Sequence, residues 1–102
     1  MKLRKVQNKE KANICYLFHC PGCGHAHVMC TKHIDPNWPI WTFNGDIEKP
    51  TFKPSLLNHI PGMNKRCHLF ITDGKIQYLN DCTHKLKGQT IEMVDLGTQT
   101  EK

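Results

Sequence analysis

The chain has 102 residues and a mass of 11.8 kDa, which suits one compact domain and leaves little room for a second. Only 38% of the residues are hydrophobic, while six cysteines and seven histidines form an excess that core packing does not explain. Five basic residues and one acidic residue give residues 1–11 most of the formal charge of +5, so a diffuse basic surface for nucleic acid is not supported.

The basic segment 1–11 is predicted to be a disordered, solvated tail, with a nucleic-acid-binding arm as the alternative. No membrane or secretory segment is predicted. The long uncharged run, residues 12–31, contains four cysteines, three histidines, Pro21 and two glycines. These features favour a bacterial cytoplasm, in which cysteines serve as metal ligands or free thiols more often than as disulfides.

The first predicted element is a hairpin over residues 14–31. Residues 14–19 are rich in β-forming side chains and lead directly into the turn Cys20-Pro-Gly-Cys-Gly24. Residues 25–31 then alternate in character and are predicted to form the returning strand.

The middle of the chain is predicted to contain a second hairpin and an extended segment. Asn44-Gly45 follows the strand-like residues 40–43 and is typical of a type I′ turn, in which both central residues have positive φ. Residues 49–57 contain two prolines, which restrict them to an extended path along a sheet edge.

A third hairpin is predicted around Asp73-Gly74. With a two-residue turn, its register places Cys67 opposite Asn80 and leaves His68 on the other face of its strand. A helical turn over 83–87 and a last strand over 90–94 complete the prediction.

Together these elements predict a small, β-dominated α+β fold, with hairpins around a zinc-knuckle site and at most one short helix. The predicted division is a basic tail over 1–11, a zinc-binding β-rich domain over 12–96 and a frayed C-terminus over 97–102.

The spacing Cys20-x-x-Cys23 predicts a zinc knuckle, because a tight turn can place two thiolates at about 2.3 Å from one ion. A redox role is disfavoured, since no helix is predicted after the motif. The open end of the third hairpin supplies further ligands. The preferred closed site for one Zn²⁺ is Cys20, Cys23, Cys67 and Cys82, with His84 able to replace Cys67.

The remaining Cys and His residues divide into two groups. His27, His68 and His84 are either residues that orient the zinc ligands or ligands of a second ion. Cys15 and Cys30 are predicted to be small buried apolar side chains.

Several motifs together resemble a phage and prophage family of small Cys/His proteins without an assigned activity, and the resemblance spans Phe18 to about Thr90. It rests on the segments 18–27, 41–46, 50–57, 67–74 and 81–90. The resemblance implies a mobile genetic element as the setting. It also implies a set of candidate metal residues: Cys20, Cys23, His27, Cys67, His68, Cys82 and His84.

The preferred functional hypothesis is a zinc-stabilised, non-enzymatic accessory protein without catalytic residues. It would bind a host protein, such as a CRISPR effector or another defence component, and inhibit it. The predicted contact surface lies within residues 38–55, where aromatic side chains stand among prolines. Its candidate anchors are Trp38, Trp41, Phe43 and Phe52.

Two alternative functions are retained. The first is a zinc hydrolase with an open metal position among His27, His68 and His84, for which the candidate bases are Asp46, Asp73 and Asp81. The second is a nucleic-acid-binding zinc ribbon that uses the basic tail and the aromatic segment for stacking.

Overall fold

The structure is a computed structural model that describes residues 1–10, 12–60 and 62–97. Within these residues the chain forms eight β-strands and no helix, so none of them crosses a membrane as an apolar helix. The strands are β1 Arg4–Gln7, β2 Ile14–Cys20, β3 His25–Lys32, β4 Thr42–Phe43, β5 Phe52–Ile60, β6 Lys65–Thr72, β7 Lys75–Tyr78 and β8 Thr90–Glu92.

The strands form two antiparallel sheets. The first contains β1, β2 and β3 in that order, and the second contains β4 to β8 in sequence order. Within each sheet, every strand therefore pairs with its neighbour in the sequence, as expected for a chain built of hairpins. The small β-dominated fold is confirmed, although the predicted helical turn at 83–87 is a turn over residues 85–88, with Gly88 at φ of 75°.

The hydrophobic core contains side chains from both sheets and from the loop between them. Its fully buried members include Phe18 and Met29 from the first sheet and Phe52, Leu69, Ile71, Ile76 and Tyr78 from the second. Burial of such side chains stabilises by about 1.5–3 kcal/mol each relative to full exposure, which offsets much of the cost of ordering a short chain.

The predicted aromatic contact surface is largely part of this core. Trp41 is 7% exposed and Phe52 is 1% exposed, while Phe43 stacks on Phe52 at 4.6 Å between ring centroids. Of the four candidate anchors, only Trp38, at 58% exposure, remains available on the surface. A thin core uses these rings because few other large apolar side chains are present in the sequence.

The basic N-terminal segment differs from the predicted disordered tail. Residues 4–7 form β1, which pairs with the free edge of β2. Leu3 is 1% exposed and therefore anchors the segment in the core. Lys11 and residues 98–102, which belong to the predicted tail and frayed C-terminus, lie outside the described residues.

The two turn predictions have different outcomes. Asp73 and Gly74 both have positive φ, and the strands pair in the predicted register from Thr72–Lys75 to Leu69–Tyr78. In contrast, Asn44-Gly45 does not close a two-residue hairpin, because Phe43 pairs with Phe52 across an eight-residue loop. The Asn44 side chain organises this loop by accepting hydrogen bonds from the backbone of Asp46 and Thr51.

Cys15 and Cys30, predicted to be small buried apolar side chains, form a disulfide. Cys30 is buried at 5% exposure, but the expectation that the cysteines of this chain do not form disulfides is wrong for this pair. They lie directly opposite each other on β2 and β3, with 3.8 Å between their Cα atoms. The expected reducing compartment favours free thiols. The β2–β3 register, however, places these two side chains opposite each other.

Candidate functional site

Four side chains that can bind a metal ion converge where the turn after β2 meets β6 and the segment after β7. Cys20 ends β2, Cys23 lies in the following turn, Cys67 lies on β6, and His84 follows β7. Their ligand atoms all lie within 4.8 Å of one another. The structure therefore brings together two distant parts of the sequence in one potential metal centre.

The distances between these ligand atoms fit a tetrahedral zinc ion. With bonds of about 2.3 Å to sulfur and 2.0–2.1 Å to nitrogen, ligand atoms in a tetrahedron stand roughly 3.6–3.8 Å apart. The Cys20 and Cys67 sulfurs are 3.9 Å apart, and the Cys67 sulfur lies 3.5 Å from His84 Nε2. The donor set of three sulfurs and one imidazole is also one that zinc prefers.

Gly22 allows His84 to reach this cluster. A Cβ atom built on Gly22 would lie 2.3–2.6 Å from three atoms of the His84 ring, far inside van der Waals contact. The glycine in the Cys-Pro-Gly-Cys turn is therefore required by close packing against the imidazole, and its φ is not positive. The turn and His84 fit each other only while residue 22 lacks a side chain.

The preferred sequence-based ligand set differs from the cluster at one position. His84 is the fourth member, and Cys82 instead contacts the backbone of His68, with its sulfur 3.2 Å from both the nitrogen and the oxygen. β7 ends at Tyr78 and the following segment turns, and this path determines that His84, and not Cys82, faces the other three side chains.

Two other predicted metal residues also lie outside the cluster. His27 is buried, and its Nδ1 lies 3.4 Å from the Asn58 side-chain nitrogen. Its Nε2 has no hydrogen-bond partner among the described residues. His68 lies on the opposite face of β6 from Cys67, as strand alternation predicts, and takes part in a different site.

The protonation of the cysteine cluster is uneven. A hydrogen bond from the Cys67 thiol, assisted by the Tyr78 hydroxyl at 3.0 Å, lowers the pKa of Cys20 to about 3 despite burial. Donation of that hydrogen bond raises the pKa of Cys67, and desolvation raises the pKa of Cys23 to about 11. One thiolate is thus poised to bind a cation, which would displace the protons of the other thiols.

A second site lies on the other face of the five-stranded sheet, where Ser55, His68 and Asp81 form a hydrogen-bonded chain. Ser55 Oγ is 3.2 Å from His68 Nε2, and His68 Nδ1 is 3.2 Å from Asp81 Oδ2. A single tautomer satisfies both contacts, with Nδ1–H donating to the carboxylate and Nε2 accepting from the hydroxyl. This order of groups is that of a Ser-His-Asp catalytic triad.

An irregularity in β5 positions Ser55. Phe52 pairs with Ile71 and Leu56 pairs with Leu69, so four residue steps on β5 face only two on β6. Ser55 lies within the extra residues, and bulges of this kind commonly redirect a side chain beside an active site. The hydroxyl is consequently aimed at the imidazole of His68 on the neighbouring strand.

Hydrogen bonds from residues outside the triad fix the backbone of His68 and the carboxylate of Asp81. The His68 carbonyl oxygen accepts a hydrogen bond from Leu79 N–H at 2.9 Å, and the His68 N–H donates to Cys82. Arg66 lies 3.4 Å from the same Asp81 oxygen that binds His68. Partial desolvation opposes ionisation, but hydrogen bonds from His68 and Arg66 outweigh it and lower the pKa of Asp81.

This triad was only partly accessible to sequence reasoning. The sequence predicts His68 as a metal residue and Asp81 as a candidate base for zinc chemistry, but it does not point to Ser55 as a nucleophile. Ser55 is the one serine in the chain, which is the available signal. Its pairing with His68 depends on the irregular β5–β6 register, which no local motif indicates.

The comparison with protein families is consistent with this second site. The family described as "Bacterial ubiquitination-like system serine protease (BubE)" matches residues 2–79, more than three quarters of the sequence. The chain belongs to the BubE family. The matched part contains Ser55 and His68, and Asp81 lies two residues beyond it. No curated protein and no solved structure is similar to the chain at a significant level.

Membership of the BubE family corrects the functional prediction from the sequence. The family is one of serine proteases, so a non-enzymatic protein that inhibits a host defence component is the wrong class. The physical reason for the error is that the zinc knuckle and the aromatic segment 38–55 are the features with strong local signals in the sequence. The serine site has no comparable motif and becomes visible only when β5 and β6 are paired.

Proposed function

We propose that this BubE-family chain is a serine protease in which Ser55 is the nucleophile, His68 the general base and Asp81 the residue that orients His68. The observation that carries the proposal is the hydrogen-bonded sequence hydroxyl, imidazole and carboxylate, with 3.2 Å at each step. The family description supplies the setting, a bacterial ubiquitination-like system, and hence a protein substrate.

The arrangement assigns a step to each group. Ser55 Oγ attacks the scissile carbonyl carbon while His68 Nε2 takes the hydroxyl proton, and Asp81 stabilises the resulting imidazolium through Nδ1–H. His68 then gives the proton to the leaving amine, so that the acyl group stays on Ser55. Water, activated by the same imidazole, releases the acyl group and restores the hydroxyl.

A fluorophosphonate probe tests this assignment without knowledge of the substrate. Such a probe forms a phosphorus–oxygen bond with an activated serine and loses fluoride, so the protein should gain one adduct by intact mass, located at Ser55 by peptide mapping. Ser55→Ala should abolish the adduct, and His68→Ala should slow labelling at least about 100-fold, as expected for loss of the base.

His19→Ala is the matched control, since His19 lies on β2 outside both sites and should leave the labelling rate unchanged. Labelling of the Ser55→Ala variant at the wild-type rate, or a wild-type chain that resists the probe, would overturn the proposal.

We further propose that Cys20, Cys23, Cys67 and His84 hold one structural Zn²⁺. Four protein ligands complete a tetrahedron and leave no position for a substrate or an activated water, which separates this centre from the serine chemistry. Elemental analysis should find one zinc per chain. Cys23→Ser should lose the metal, whereas Cys82→Ser should keep it, and equal zinc contents in these two variants would contradict the assignment.

A further inference from the structure

The outer edge of β5 beside Ser55 is incompletely paired. On this side β4 covers only the beginning of β5, where Thr42 pairs with Lys53 and Phe43 with Phe52. The Trp41 ring then donates from Nε1 to the carbonyl oxygen of Ser55 at 3.2 Å. Beyond Ser55, β5 continues to Ile60, and no strand in the described part of the chain pairs with it on that side.

The direction of the backbone groups on this part of β5 follows from the hydrogen bonds of β6. The N–H and C=O groups of His68 bind Cys82 and Leu79, on the side away from β5. In an antiparallel pair, opposed residues either bond to each other or both point away. Leu57, which lies opposite His68, therefore directs its N–H and C=O outward.

The same argument applies two residues further along. Arg66 binds Thr83 with both its N–H and its C=O, so His59, opposite Arg66, also directs its backbone groups outward. Within residues 12–60 and 62–97, no loop or side chain forms a hydrogen bond with the backbone of Leu57 or His59. The Leu57 side chain is 52% exposed, so this edge is accessible.

We infer that the substrate of this protease binds as an added β-strand on the outer edge of β5, pairing with the backbone of Leu57 and His59. The inference rests on the proposed function, and it names the substrate class as an extended, unfolded polypeptide segment. Leu57 lies two residues from Ser55, about 7 Å along a strand, so a paired substrate chain would pass the nucleophile. Backbone pairing supplies affinity with little demand on sequence.

A proline substitution can remove the pairing without disturbing the sheet. Leu57→Pro deletes an N–H that points away from β6, and proline is tolerated at such edge positions. Leu57→Ala changes the side chain but keeps this N–H. Lys5→Pro is the matched control on β1, a remote edge strand. The backbone of Cys30 on β3 points away from β2, so its partner Cys15 on β2 directs its backbone towards β1. Val6, opposite Cys15, therefore bonds to β2, and the N–H of Lys5 points outward.

The experiment uses the full chain, a fluorophosphonate probe and a mixture of peptides from a digested bacterial proteome. Wild type and Lys5→Pro should be labelled at equal rates and should cleave the same peptides. Leu57→Pro should be labelled at the wild-type rate but cleave these peptides at least about tenfold more slowly than Leu57→Ala. Because the small probe needs no strand pairing, failure of wild type to be labelled would refute the proposed function and not this inference alone.

Two results would overturn the strand-addition proposal while leaving the triad intact. The first is a labelled Leu57→Pro variant that cleaves the peptides as fast as Leu57→Ala. The second is a labelled wild-type protein that leaves the whole mixture uncut, which would mean that recognition needs a folded surface.

If Leu57→Pro is not labelled because it fails to fold, hydrogen exchange decides the matter in the Ser55→Ala variant. Addition of the peptide that wild type cleaves fastest should slow exchange of the Leu57 and His59 amides at least about tenfold. Unchanged exchange at both amides would overturn the proposal.

Discussion

Replacement of Gly22 by alanine should remove His84 from the metal centre. The added Cβ would lie 2.3 Å from His84 Cε1, 2.5 Å from Nε2 and 2.6 Å from Nδ1, whereas carbon atoms in contact prefer about 3.5–4.0 Å. The ring must therefore move by about 1 Å. Zinc–ligand distances tolerate only about 0.2 Å, so this displacement would prevent His84 from binding a zinc ion in the cluster.

The expected magnitude follows from losing one of four ligands. Loss of residues that merely orient ligands commonly weakens metal binding about 10–100-fold, so loss of a ligand itself should reach at least about 100-fold. Competition with a chromophoric zinc chelator measures this change. Circular dichroism in saturating zinc should show that the Gly22→Ala variant keeps its strands, since the clash involves one side chain at the edge of the core.

Gly24→Ala provides the matched control in the same turn. Gly24 has φ of 80°, and no atom lies within 4 Å of the place that a Cβ would take there. Alanine therefore introduces backbone strain of about 1 kcal/mol without touching His84. Its zinc affinity should stay within about tenfold of wild type. A Gly22→Ala variant that binds zinc as tightly as wild type would refute the assignment of His84 as a ligand.

Two further predictions concern the triad and the disulfide. Asp81→Asn should lower the rate of peptide cleavage about 100-fold, compared with a loss of roughly 10⁴-fold in a buried triad. The loss is smaller because the Asp81 side chain is 41% exposed, so water can replace part of its effect. An unchanged rate would exclude Asp81 as the residue that orients His68. Replacing Cys15 and Cys30 together with serine should lower the free energy of unfolding by about 3 kcal/mol, from the 15-residue loop that the disulfide closes. Urea denaturation measures this loss, and a change in Ser55 labelling would contradict a purely structural role.

The local parts of the fold could be predicted because their signals lie close together in the sequence. The Asp73-Gly74 hairpin formed in the predicted register because both turn residues accept positive φ and the alternating strand pattern permits one pairing. The knuckle at Cys20 and Cys23 is similarly local. Its partner Cys67 is predictable because the register of the Asp73-Gly74 hairpin places it at the open end of that hairpin.

The remaining errors arise from contacts between segments that no local rule connects. Ser55 meets His68 only because β5 gains extra residues relative to β6, and bulges leave no reliable mark in a single sequence. His84 replaces Cys82 because the chain turns after Tyr78 and the strand alternation used for the prediction ends there. Both errors concern the alignment of segments that are distant in the sequence, which the alternation within one strand does not determine.

The proposed metal centre and the triad share two segments of the chain, which connects the two sites structurally. On β6, Cys67 faces the metal cluster and the adjacent His68 faces the triad. In the segment after β7, Asp81 binds His68 and His84 joins the cluster, three residues away. Zinc would therefore fix both segments of polypeptide that carry the base and the residue that orients it.

This shared geometry predicts an order of events on metal removal. Chelation should loosen the segment 81–84 first, because it belongs to no strand. Apart from the cluster, it is attached to β6 by hydrogen bonds of Asp81 with His68 and Arg66, of Cys82 with His68 and of Thr83 with Arg66. Ser55 and His68 stay on paired strands, so the nucleophile and base remain adjacent while Asp81 is held less firmly. While the protein is still folded, chelation should therefore slow the labelling of Ser55 by the same factor as Asp81→Asn does. Equal labelling rates of zinc-free and zinc-loaded protein would show that the two sites are independent.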